Sequence, residues 1–114
     1  MKLLTKAIAA KLPELYKTES MPLPEKVAYA KLFHPASNWT WYVMEFDGQD
    51  LCFGLVVGHE TEFGYFSLRE LSEMRVFGLQ VERDIYFRPT QTQDLPVHDI
   101  ERVAALWSPP PKKY

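Results

Sequence analysis

Residues 38–58 read NWTWYVMEFDGQDLCFGLVVG. An aromatic and apolar run ends at Asp47-Gly48, a turn dipeptide, and a second apolar run returns from it. This pattern predicts a β-hairpin. On the first strand Trp39, Trp41, Val43 and Glu45 alternate onto one face, and Thr40, Tyr42, Met44 and Phe46 onto the other. Both faces are largely apolar, which predicts a central strand covered on both sides. On the returning strand Leu51, Phe53, Leu55 and Val57 oppose Cys52, Gly54 and Val56. Gly54 inside a strand predicts a bulge or the close approach of another group.

Upstream of the hairpin, residues 27–33 read as a strand with Val27, Tyr29, Lys31 and Phe33 on one face and Ala28, Ala30 and Leu32 on the other. Before it, residues 17–25 read as a loop, because Pro22 and Pro24 cannot donate to a ladder. The chain starts with an amphipathic helix: Leu4, Ala7, Ile8, Leu12 and Leu15 recur at helical spacing, Thr5 is the N-cap, and Pro13 ends it at Leu12. Downstream, residues 63–66 predict a short aromatic strand. Ser67 and Glu70 then have capping-box spacing, with Phe66 and Leu71 at the hydrophobic-staple positions. The helix they open starts at Leu68 and is expected to stop at Gly78. Residues 81–87 predict the last strand, and 90–93 a polar linker. Val97, Ile100, Val103, Ala104 and Trp107 mark a C-terminal helix, which the prolines after Ser108 end.

The order predicts an α+β fold: one mainly antiparallel sheet of about five strands, an N-terminal helix, a short capped helix before the last strand, and a C-terminal helix. At 114 residues the chain is expected to form a single domain over 1–108, followed by a Pro-rich tail over 109–114. A net charge of −2 argues against duplex nucleic acid, whose binding takes a basic face. One cysteine cannot form an internal disulfide, and no stretch approaches the length of a membrane span. Lys6 and Lys11 interrupt the only N-terminal run that resembles a secretory signal. A cytoplasmic protein is the expectation. The sequence leaves the oligomeric state open and tilts toward a monomer.

Several blocks occur together and in order: KLLTK with LP.LY, then F.P.SNWTWY..EFDG, then FGLVVG.E.E.GYFSL.EL, and finally GL.VERD.YF.P. In these the chain resembles the domain of unknown function 2958 family, small proteins of phages, plasmids and other bacterial mobile elements. The resemblance covers residues 1–89, and 90–108 reads as a C-terminal extension that carries the last helix. It implies an accessory protein of a mobile element. It implies no particular activity, since a fold or family does not grant one.

Trp39, Trp41, Tyr42 and Tyr65 are candidate partner-binding residues, because Trp and Tyr are enriched at interface hot spots. Filling the covered faces of the sheet is the commoner role of such residues. Glu82 and Asp84 are candidate rim charges. Arg83 lies on an otherwise apolar strand face and is expected to be partly buried against a carboxylate, with Glu45 the first candidate; an anion site is the alternative. The carboxylate pairs Glu45/Asp47 and Glu82/Asp84 would need environments that separate their pKa values to act as acid and base, and a solvated or ion-paired state is the simpler expectation. His34, His59 and His98 show no metal-ligand spacing, Cys52 has no base beside it in sequence, and the glycines form no phosphate-binding loop. No catalytic residue, metal or cofactor is expected. The expected function is a non-enzymatic protein-interaction module that modulates a host or defence factor. The alternative is a domain that binds a small ligand or single-stranded nucleic acid on its aromatic sheet face.

Overall fold

The computed structural model describes residues 2–109. Of the Pro-rich tail expected over 109–114, all but Pro109 lies outside the described residues. Helix α1 spans Lys6–Lys11. The strands are β1 (Val27–Ala28), β2 (Ala30–Phe33), β3 (Thr40–Phe46), β4 (Leu51–Val57), β5 (Thr61–Ser67), β6 (Glu82–Arg83) and β7 (Thr90–Gln91). Helix α2 spans Leu68–Glu73 and helix α3 spans Ile100–Leu106. The main sheet has five antiparallel strands in the order β5-β4-β3-β2-β6, and β1 pairs with β7 in a separate two-stranded sheet. The architecture is α+β, with helices on both faces of the sheet.

The hairpin of β3 and β4 forms around a loop that Asp47 organises. Its Oδ1 accepts from the backbone N–H groups of Gln49, Asp50 and Leu51, and Gly48 takes a left-handed φ of 87°. These donors, that of Asp50 first, hold the Asp47 carboxyl below its ordinary value of 3.8. Further along the loop, Asp50 reaches α2. Asp50 accepts from Ser67 Oγ at 2.6 Å and from Arg69 N at 2.7 Å, while Ser67 Oγ caps Glu70 N at 3.2 Å. One carboxylate thus adds to the Ser67 cap that opens α2; of the capping box read from the sequence, the Ser67 half forms. At the other end of the chain Thr5 caps α1, accepting from Ile8 N at 3.1 Å, and α1 ends at Leu12 before Pro13.

The sheet separates two apolar layers. One contains Leu3, Leu12, Leu32, Trp41, Val43, Cys52, Phe66 and Leu71, with α1 and α2 over it. The other contains Ala28, Tyr42, Met44, Phe53, Leu55 and Phe63 under Ile100 and Val103 of α3. Trp107 joins this second layer, its ring 5.2 Å from that of Phe53 and 6.0 Å from that of Tyr65. The C-terminal helix therefore covers its own sheet. Burial pushes the Cys52 thiol up to about 12, with Asp47 and Asp50 adding to it, so this cysteine is a core hydrophobe.

Four expectations are corrected. First, the register of β3 shifts between Val43 and Glu45 opposite Gly54. A Cβ on Gly54 would stand 1.7 Å from the Tyr42 carbonyl oxygen, so only glycine fits there. The bulge moves Glu45 off the face of Trp39, Trp41 and Val43: it pairs with Phe53 of the second layer, and Phe46 turns to the first. Second, the strand read over 27–33 breaks at Tyr29, since Ala28 belongs to one layer and Ala30 to the other. Third, the strand read over 81–87 is only β6. Asp84 accepts from Tyr86 N at 2.9 Å and its carbonyl from Phe87 N at 3.2 Å, a local turn that ends the ladder and carries Phe87 onto Tyr42. Fourth, the polar linker read over 90–93 contains β7 and the fully buried Thr92, whose N–H and hydroxyl both donate to the Lys26 carbonyl at 2.8 Å.

Candidate functional site

Helix α2 ends at Glu73, well before Gly78. Gly78 instead belongs to a two-residue hairpin, in which Val76 and Leu79 exchange backbone hydrogen bonds of 3.1 and 2.9 Å. Both central residues are left-handed, Phe77 at φ 53° and Gly78 at φ 76°. A left-handed pair is the type I′ signature, which favours Asn or Gly at the first position. Phenylalanine there is strained, and its ring is 90% exposed.

The hairpin is tied to the sheet by His34, which directly follows β2, the partner of the edge strand β6. Ala36 N–H donates to His34 Nδ1 at 3.1 Å, so the ring proton sits on Nε2, which donates to the Leu79 carbonyl at 2.9 Å. His34 is buried, and it also lines an open groove of about 780 Å3 with Phe33, Trp39, Glu82, Arg83, Asp84, Ile85 and Tyr86. The turn at Asp84 that ends β6 also aims the next two side chains outward: Ile85 is 63% exposed and Tyr86 87%. Of the seven large apolar residues exposed among the described residues, four (Phe77, Leu79, Ile85 and Tyr86) fall within 77–86. Scattered singly such residues need no explanation, but a concentration in one ten-residue stretch does.

The sequence-predicted site residues divide between this edge and the core. Trp39, Glu82, Arg83 and Asp84 line the groove. Trp39 stacks on Trp41 at 5.9 Å and lies over Gly58, where a Cβ would come within 2.5 Å of the indole. Trp41 and Tyr42 are buried, one in each apolar layer, and Tyr65 packs in the second layer far along the sheet order on β5. Burial, then the charge of Asp84, raises the Tyr42 hydroxyl above its ordinary value of 10.0.

Arg83 is partly buried, but its partner is not Glu45 and not a carboxylate. Its Nη1 donates to the carbonyls of Lys2 at 2.7 Å and Leu3 at 3.3 Å. Glu45 meets Lys26 instead, at 3.9 Å, on the other side of the sheet. Of the two carboxylate pairs read as possible acid and base, neither forms one. Asp84 faces Lys31 at 3.9 Å, while Glu82 is exposed. Glu45 is ion-paired in the interior, while Asp47 caps its own turn. Among the described residues no group of three or more His, Cys, Asp or Glu side chains converges to hold a metal ion, and no helix is long and apolar enough to cross a membrane.

Phe77 and Ile85 were not legible as site residues. The signal for Phe77 is the dipeptide Phe77-Gly78 between Val76 and Leu79, a turn pattern with an aromatic where Asn is usual.

The structure defines a small α+β domain in which residues 77–86 carry four of the seven exposed large apolar side chains among the described residues. The chain belongs to the family described as protein of unknown function DUF2958, which matches residues 3–99. That match continues past Pro89 and takes in β7 and the approach to α3. No curated protein matches the chain. No solved structure matches it.

Proposed function

We propose that this protein is a protein-interaction module, and that it docks its partner on the β6 edge. The observation that carries the reading is Phe77. A bulky aromatic held in a left-handed turn costs folding free energy and returns almost no burial, so its position is accounted for by a use outside the fold. Leu79 shares its hairpin, which His34 ties to the groove that Trp39, Ile85 and Tyr86 line. Aromatic anchors surrounded by such a rim are the usual centre of a binding interface. The occupant is a partner protein with an apolar pocket for the Phe77 ring. In the mobile-element setting that the family resemblance implies, the partner is a bacterial host or defence factor.

A second reading rests on the groove itself. Its volume is in the range of small-ligand sites, and Arg83, Tyr86 and two carboxylates line it. Arg83 is already engaged with main-chain carbonyls, and Lys31 with Asp84, which weakens this reading and that of a single-stranded nucleic-acid groove.

The test uses the full chain as bait in bacterial lysate beside a Phe77→Asn/Tyr86→Ser variant with unchanged circular dichroism. A stoichiometric partner captured by the first and lost by the folded variant supports docking at this edge. Equal capture by both removes it.

A further inference from the structure

On the opposite side of the sheet from α1, a second cavity of about 130 Å3 lies between β4, β5 and the end of α3. It shares no lining residue with the groove at β6. Four aromatic residues wall it: Tyr16, Phe53, Tyr65 and Trp107. The last three are mutually packed at 5.2–6.0 Å, and Tyr16 stands 6.2 Å from Tyr65. Tyr16 has a left-handed φ of 70°, which its N–H secures by donating to Glu45 Oε1 at 2.9 Å. The size is a fraction of the roughly 300–1,000 Å3 of drug-sized ligand sites, so only a compact group fits.

The charges in the wall select its sign. Glu19 and Glu45 line the cavity together with one cation, Lys26. Glu45 is 3% exposed and Lys26 5%. The Tyr65 hydroxyl is pushed up to about 12 by burial and by Tyr16, Glu45 and Glu19, so it stays neutral in a negative field. The Lys26 ammonium, 5.7 Å from the Phe53 ring centroid, is the protein's own instance of a cation against this aromatic wall.

The hydrogen bonds select the kind of cation. Glu45 Oε1 takes Tyr16 N–H, and Oε2 takes both the N–H and the hydroxyl of Thr18 while facing Lys26. Lys26 spends its own donors on the carbonyl and hydroxyl of Thr18. Oε2 of Glu45 is filled and Oε1 already holds one donor, so the wall offers a primary ammonium few acceptors for its three N–H groups, whereas a quaternary ammonium needs none and uses the aromatic faces. We propose that this cavity binds a compact quaternary ammonium group, walled by Tyr16, Phe53, Tyr65 and Trp107 and favoured by the net negative charge that Glu19 and Glu45 together keep against the single cation Lys26.

The test is a titration of the full chain with choline at constant ionic strength, followed at the Trp107 indole N–H by NMR. Beside it run 3,3-dimethyl-1-butanol, the neutral isostere, and ethanolamine, the primary amine. Saturable choline binding is expected, with both analogues weaker by about tenfold, the scale of a partly desolvated cation–π contact. Tyr16→Ala, at a half-exposed position, is expected to keep the fold and weaken choline severalfold. A trimethyllysine peptide binding more tightly than choline would assign the group to a modified side chain rather than a free small molecule. Equal affinity for the neutral isostere, or no saturable shift at Trp107, overturns the proposal.

Discussion

Replacing Phe77 by Asn tests whether the 76–79 hairpin stores strain. The left-handed conformation costs an ordinary L-residue roughly 1–2 kcal/mol, and Asn escapes much of this because its short polar side chain bonds locally. Asn-Gly is also the preferred pair for a type I′ turn. Against this gain stands the burial lost with the ring. A fully buried Phe contributes about 1.5–3 kcal/mol, and a ring 90% exposed keeps about a tenth of that, roughly 0.2 kcal/mol. The strain wins, so Phe77→Asn is expected to stabilise the protein by about 0.5–1.5 kcal/mol. Urea unfolding followed by tryptophan fluorescence reads this as a higher midpoint at an unchanged slope. The same variant is expected to lose its partner. Higher stability with lower binding is the pattern of a residue kept for function. A loss of about 0.5 kcal/mol or more, beyond the ordinary scatter of surface substitutions, would show that the ring packs on the chain and that the turn is unstrained.

Gly54→Ala should fail to reach a stable fold, at a cost of roughly 3 kcal/mol or more, because the new methyl collides with the Tyr42 carbonyl rather than with a side chain that can swing away; circular dichroism and thermal melts check this. Glu45→Gln should destabilise by about 3–5 kcal/mol in urea, since it strands the buried Lys26 ammonium. Lys26 is already held below its ordinary 10.5 by desolvation, against the pull of Glu45 and Glu19. Asp47 and Asp50 have folded values below 3.8, so the stability they contribute is fully present above 3.8 and is lost as pH falls through the depressed values. Acid titration of unfolding in Asp47→Asn and Asp50→Asn should therefore show a shallower loss below pH 3.8 than the parent; a parallel curve would contradict the assignment.

Local chemistry was legible in the sequence wherever it acts within one turn or one strand. Thr5, Ser67 with Glu70, Asp47-Gly48 and the spacing of Ile100, Val103 and Trp107 each mark a feature the structure contains. Gly54 pointed to a bulge, but not to which partner strand would carry it. That gap misplaced Glu45, because one added residue reverses every later side chain. It also misassigned the partner of Arg83. The Lys26–Glu45 pair and the Thr92 bonds to Lys26 join residues from separate parts of the chain, and such contacts leave no periodicity to read. The same holds for the candidate surface. Trp39, Glu82, Arg83 and Asp84 do meet at one groove, whereas Trp41 and Tyr42 are drawn inward by a sheet covered on both sides. Phe77 escaped notice because Gly78 has two physical uses, helix stop and left-handed turn, and the sequence does not choose between them.

The grip of Arg83 on Lys2 and Leu3 has a consequence for the order in which the chain takes shape on the ribosome. Helix α1 has six residues, none of them buried, and is too short to persist alone. The anchor of the residues that lead into it is synthesised some eighty residues later, at a separation of 81 positions for Lys2 and 80 for Leu3. The residues just before α1 thus gain this tie only once β6 is made. The other end of the helix is tied earlier, since Pro13 accepts from Phe46 N–H at 2.9 Å, so α1 can be laid on the sheet from its C-terminal side and fastened at its N-terminal side when Arg83 arrives.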